Sequence, residues 1–193
     1  QFDKKPVLER FEYQLKSSGL ETKNTLKPDF NWSCSKIEHI KKKYDLNKYI
    51  LLFPFCSPHL TAKKWPYYNE LINLIKTKFK DEYKILVAPG PEEIDQAKKF
   101  NAVSVLNDQK SLNVSELSSL IKESSFIVAN DTGPAHMAAH LDVRGLTLFG
   151  SHTTAYKVSI ETQKFKPIQV DNLSKLSAQK VLEKIISSIA NKN

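Results

Sequence analysis

Residues 130–136 read Asn-Asp-Thr-Gly-Pro-Ala-His, a set of types suited to a phosphorylated ligand. The apolar run Phe126-Ile127-Val128-Ala129 before them predicts a strand that delivers Asp131 and Thr132 to a sheet edge. Gly133 lets the backbone turn and approach a ligand closely. Pro134 suits the first turn of a helix, whose free amides and positive dipole end would face the same cleft. A diphosphate would be held there by backbone donors and the Thr132 hydroxyl, with His136 donating to a phosphate or sugar oxygen. The plain alternative is that Asp131 or Thr132 only caps the helix and His136 packs locally.

Three further segments follow predicted strands, where ligands of open parallel sheets gather. The stretch from Pro54 to Pro66 carries hydroxyls, Ser57 among them, and two lysines. It suits a pyrophosphate whose charge Lys63 or Lys64 would neutralise. Trp65 beside Pro66 reads as an anchor that packs the start of the next helix. In Ala88-Pro89-Gly90-Pro91-Glu92-Glu93 a carboxylate could bind both ribose hydroxyls, although acidic residues also favour a first helical turn for dipole reasons alone. At Lys110-Ser111-Leu112 a base could slot against Leu112, and a simple helix start is equally compatible.

Other chemistries lack their residues. No GxGxxG follows a strand, and no GxxxxGK[ST], GxSxG or HExxH occurs. His136 and His140 are spaced to share a helix face, but no third metal ligand lies near them in sequence, so no metal and no cofactor are expected.

The elements that must position these residues alternate in type. Tyr49–Phe53, Tyr83–Val87, Val103–Leu106, Phe126–Ala129, Leu146–Phe149 and Pro167–Val170 read as strands. Helical patterns fall at Pro66–Phe79, Pro91–Phe100, Val114–Lys122 and Pro134–Leu141. A final amphipathic helix, capped by Ser177, carries Val181, Leu182, Ile185, Ile186 and Ile189 on one face. This alternation predicts an α/β fold, a Rossmann-like parallel sheet with helices on both faces. Residues 1–45 hold helical patterns at Val7–Lys16 and Ser35–Tyr44 but no strand pattern. They are expected to be a helical connector or the tail of a preceding domain, with the Rossmann-like domain at 46–193. A chain that begins at Gln1, in a helical stretch and without Met, is expected to be a fragment, with removal of the Met by processing as the alternative.

Composition is that of a globular domain: 193 residues, 40% hydrophobic and 26% charged, enough to bury a core without disulfides or a structural metal. Cys34 and Cys56 form no disulfide or metal-ligand pattern. No signal peptide or apolar span is read, and a cytoplasmic location is expected. The net charge of +8 rests almost wholly on lysine and is first of all a solvated surface. It also suits peripheral contact with an anionic inner-membrane face. The lysine runs at 41–43 and 63–64 lie outside any aromatic RNA-binding box, so no nucleic-acid partner is expected.

The block Asn130–Ala139, followed by Leu146-Thr147-Leu148-Phe149-Gly150, resembles the pattern of the ADP-heptose:lipopolysaccharide heptosyltransferase family. There a DTG-x-x-H-x-A-A segment precedes an apolar strand ending in Phe-Gly. Lys63-Lys64-Trp65-Pro66 is similar to the family's K-x-W-P element, and Leu112–Ile127 to its helix and strand leading into DTG. The resemblance covers most of residues 48–190 in order. It implies the C-terminal, donor-binding half of a two-domain GT-B enzyme that is inverting and uses no essential metal. By position, Lys63 would contact the donor near its phosphates, Glu93 (or Glu92) the ribose, and Leu112 the base. Asp131, Thr132, Gly133 and His136 would surround sugar and diphosphate. With Ser57 and Pro134 these make the expected donor site, and no catalytic residue is expected in this chain. The base that deprotonates the acceptor, and the site for a lipid-linked or oligosaccharide acceptor, would belong to the other half.

The chain departs from the family pattern at Phe55, where Gly is usual, and at Ser151-His152-Thr153, where Pro-Thr is common after Gly150. The expected function is donor binding in a transferase that moves heptose, or a related sugar, from a nucleotide diphosphate donor. The alternative is a nucleotide-sugar-binding module without transfer activity.

Overall fold

The computed structural model describes residues 2–57 and 59–190, so Pro58 of the predicted phosphate loop and the two chain ends lie outside the described residues. Six strands form one parallel sheet: β1 Tyr49–Phe53, β2 Lys84–Val87, β3 Val103–Ser104, β4 Phe126–Asn130, β5 Gly145–Phe149 and β6 Phe165–Gln169. Their order is β3-β2-β1-β4-β5-β6. Every residue of β1, β4 and β5 is buried, as expected of strands covered on both faces.

The helices are α1 Val7–Ser17, α2 Glu38–Tyr44, α3 Tyr68–Phe79, α4 Ile94–Ala97, α5 Val114–Lys122, α6 Gly133–His140, α7 Ala155–Val158 and α8 Ala178–Ala190. Side chains alternate along a strand, so β1 feeds two cores. Ile50 and Leu52 pack with Leu71, Ile72 and Ile75 of α3 and with Val181 and Ile185 of α8. Tyr49, Leu51 and Phe53 pack on the other face with Ile40 of α2, Leu120 of α5 and Ala135 and Ala138 of α6.

Several expected bounds shift for identifiable reasons. The helix expected at Pro91–Phe100 is a 3-10 turn, Pro91–Glu93, followed by α4 alone. The third strand is cut to Val103–Ser104, although the Val105 amide still donates to the Val87 carbonyl at 2.9 Å. Pro167 lies inside β6, where a missing amide is tolerated because β6 is an edge strand. Ile37, Ile40 and Leu46 are buried against the sheet, so the packed body includes α2 and begins before residue 46. By contrast α1 buries none of its residues. No helix among the described residues is long and apolar enough to cross a membrane.

The strand order reverses between β1 and β4, which pair in register from Ile50↔Phe126 to Phe53↔Ala129. The loops that leave their carboxyl ends diverge from a shared crevice, where open α/β sheets bind ligands.

Candidate functional site

The crevice is organised by a polar side chain that the sequence did not single out. Asn130, fully buried at the end of β4, accepts from the Trp65 amide (3.3 Å) and the Tyr68 hydroxyl (3.2 Å). Its amide group donates to the carbonyls of Pro54 (3.0 Å) and Phe55 (3.4 Å). A buried amide so paired lashes both ends of the loop after β1 to the loop after β4. Trp65 completes the anchor: it is 1% exposed, and its indole donates to the Leu176 carbonyl at 2.8 Å.

Held in this way, the 3-10 turn Thr61–Lys63 brings Lys63 Nζ to 2.6 Å from Asp131 Oδ2. The Asp131 side chain is 4% exposed, and two imidazoles also face it. His136 Nε2 from α6 lies 3.5 Å from Oδ1, and His152 Nε2 from the loop after β5 lies 3.3 Å from Oδ2. Burial pushes the Asp131 carboxyl up, but hydrogen bonding to His136 and Lys63 outweighs it and holds the group at about 2. Of these contacts the Lys63 one is the shortest. The result is a buried carboxylate surrounded by donors that can become, or already are, cationic.

Beside this cluster opens a cleft of about 210 Å³. Its walls are apolar, from Phe53, Phe55, Ala88, Pro89, Leu112 and Leu117, with Glu93, Thr132 and Pro134 at polar or turning points. Phe55 is buried and packs edge-on against Phe100 with centroids 5.7 Å apart, so it forms cleft wall and core at once. Glu93 Oε2 accepts from the Gly90 amide at 2.8 Å, which caps its own turn while Glu93 lines the cleft. Leu112 stands just before α5, whose start is fixed by a reciprocal Asn113–Glu116 capping box.

The structure thus gathers Glu93, Leu112, Thr132 and Pro134 in the cleft wall and Lys63, Asp131 and His136 in the adjoining charged cluster, with Gly133 exposed at the start of α6. Ser57 is not brought into the wall; it is exposed, and its carbonyl accepts from the Leu60 amide at 2.9 Å. Neither Asp131 nor Thr132 makes a side-chain cap to α6. Two expectations at this turn need correction. Gly133 does not require glycine's freedom, since its φ is not positive and an added Cβ would meet nothing within 4 Å. The first turn also offers fewer amides than expected, because those of Ala135 and His136 donate to the Thr132 carbonyl and Pro134 has none. What remains is the Gly133 amide, the Thr132 hydroxyl and the dipole end of α6. His136 and His140 do not combine with a third ligand, and no cluster that could hold a metal ion occurs among the described residues.

A 3-2-1-4-5-6 parallel sheet with an apolar-walled cleft beside a charged cluster at its switch point defines a Rossmann-like domain of the kind that builds GT-B glycosyltransferases. Residues 2–185 match the family model of glycosyltransferase family 9 (heptosyltransferase), and the chain belongs to that family. No curated protein matches it. Among solved structures, the E. coli heptosyltransferase WaaC with ADP aligns with a TM-score of 0.69 and 23% identity, over 93% of this chain and 56% of that one. E. coli ADP-heptose LPS heptosyltransferase II aligns at 0.66 and 18%, over 90% and 54%. A family 9 glycosyltransferase from Veillonella parvula aligns at 0.74 and 13%, over 98% and 61%. The chain therefore spans somewhat more than half the length of these structures.

Proposed function

We propose that the chain is the donor-binding portion of an inverting glycosyltransferase that moves a heptose, or a related sugar, from a nucleotide diphosphate donor to a lipopolysaccharide-core-type acceptor. ADP-heptose is the leading donor, in keeping with the ADP held by WaaC. One observation carries the reading: Lys63 and Asp131, from the loops after β1 and β4, meet beside an apolar-walled cleft at the switch point.

The apolar wall at Leu112 and Leu117 suits a base, and the free Glu93 oxygen suits ribose hydroxyls. Lys63, Thr132 and the α6 dipole would offset charge on the diphosphate as it departs, the electrostatic form of catalysis. His136 and Asp131 would meet the sugar. The acceptor hydroxyl is deprotonated by a carboxylate outside these residues, so the chain alone binds nucleotide and transfers sugar poorly or not at all. Its lysine-rich surface suits peripheral contact with an anionic membrane face.

Calorimetric titration with ADP, UDP, GDP and CDP tests the donor class. The expected result is selective ADP binding that both Lys63→Ala and Asp131→Ala weaken. Equal affinity for all four, or none, contradicts it. Phe55 in the cleft wall favours a second reading, a nucleotide-sugar module that has lost transfer activity. Sugar transfer by the full gene product separates the two.

A further inference from the structure

The loop after β5 also reaches the charged cluster, although it does not leave the switch point. It holds Ser151-His152-Thr153, the stretch in which the chain departs from the family pattern. A Cβ added at Gly150 would lie 3.5 Å from the Ala62 carbonyl oxygen, so this loop rests on the turn that carries Lys63. Its course is set from the edge strand. Gln169, the last residue of β6, donates through Nε2 to the carbonyls of Gly150 (2.7 Å) and Thr153 (3.2 Å).

Between those two ties the backbone turns His152 inward. Its ring stacks on Phe149 of β5, with centroids 6.0 Å apart and planes 22° apart. Nε2 lies 3.3 Å from Asp131 Oδ2. An ionised carboxylate only accepts, so Nε2 supplies the hydrogen. Nδ1 is buried and has no partner among the described residues, so the ring acts on its surroundings through Nε2.

Asp131 is thus held by Lys63 and His152 on Oδ2 and by His136 on Oδ1. These three side chains are 22%, 13% and 34% exposed, in that order. His152, the most buried and stacked on a strand residue, is the donor least able to move, and it sets the carboxylate plane. That torsion is otherwise broad. Lys63 has a flexible four-carbon stem, and its ammonium is placed by the same carboxylate oxygen. A cation fixed before the ligand arrives binds a diphosphate more tightly than one that must be ordered on binding.

We propose that Gln169 and His152 act in series as positioning residues for Lys63: Gln169 pins the loop after β5, and His152 on that loop holds Asp131 so that the lysine stays in place beside the cleft. The inference rests on the donor-site reading above. Neither residue touches the diphosphate in this role.

The test is titration of ADP into the 193-residue chain and its variants, with urea unfolding of each. His152→Phe keeps a ring to stack on Phe149 but has no donor. His152→Gln has no ring, yet its amide nitrogen stands as many bonds from the backbone as Nε2. Gln169→Ala removes the pin from an exposed position and leaves the core untouched. His152→Phe and Gln169→Ala should each weaken ADP binding about fivefold, and His152→Gln should stay within about twofold of the wild type. The His152→Phe, Gln169→Ala double variant should also lose only about fivefold, because both changes break one path. A ring needed only for packing gives the reverse order, with His152→Phe binding as the wild type and His152→Gln weakened, and that order overturns the proposal. Single losses that multiply in the double variant overturn it too. Should His152→Phe not fold, unchanged affinity in Gln169→Ala overturns it alone. No ADP binding to the wild type overturns the donor-site reading itself.

Discussion

Lys63 Nζ lies 2.6 Å from Asp131 Oδ2 although 68 residues separate them in the chain. The contact exists because β1 and β4 are adjacent in the sheet and Asn130 ties their outgoing loops together. Since Asp131 is 4% exposed and Lys63 22%, the carboxylate depends on the lysine more than the reverse.

Lys63→Ala should therefore cost stability as well as ligand. With His136 and His152 left to pair Asp131, the loss should be about 2 kcal/mol, below the usual cost of stripping a buried pair. ADP affinity should fall at least about tenfold. Urea unfolding and calorimetry on one preparation measure both effects.

Acid should reveal the same carboxylate. Its folded value of about 2 lies below the ordinary 3.8, so its stabilisation is complete above the unfolded value and is lost as pH falls from about 4 through 2. The amount at stake is about 2 kcal/mol. Urea midpoints across that range should flatten in Asp131→Asn relative to wild type. Parallel curves would show that the carboxylate is not held as described.

Gly133→Ala separates binding from folding. The added methyl meets open space, so stability should change by less than about 0.5 kcal/mol. The same methyl would stand where a diphosphate approaches the α6 terminus, and ADP affinity should drop about tenfold. A stable variant with unchanged affinity would move the ligand away from this turn.

Asn130→Ala should remove four hydrogen bonds from a fully buried position and cost about 2 kcal/mol or more. Amide exchange should speed up in residues 54–65, because both ends of that loop lose their tie. Exchange confined to β4 would argue against the tethering role.

Much of this was legible in the residues. The apolar runs of β1, β4 and β5, the last broken only by Thr147, announce strands buried on both faces, and the helix starts expected at Val114 and Pro134 stand within a residue of those in the structure. The α2 packing was not legible, because Ile37, Ile40 and Leu46 sit among lysines and their burial depends on the sheet they meet. Asn130 and His152 were missed for a related reason. Their partners come from loops 76 and 21 residues distant, and no local spacing encodes those meetings. Glu93 was read either as a ribose ligand or as an acid suited to a first helical turn; in the structure it caps its own turn through the Gly90 amide and lines the cleft.

The most direct test of the central claim is a crystal structure of the chain with ADP. It should place the diphosphate within hydrogen-bond distance of Lys63 Nζ and the Thr132 hydroxyl, with the base against Leu112. ADP seated elsewhere on the surface, with the Lys63–Asp131 cleft empty, would contradict the account.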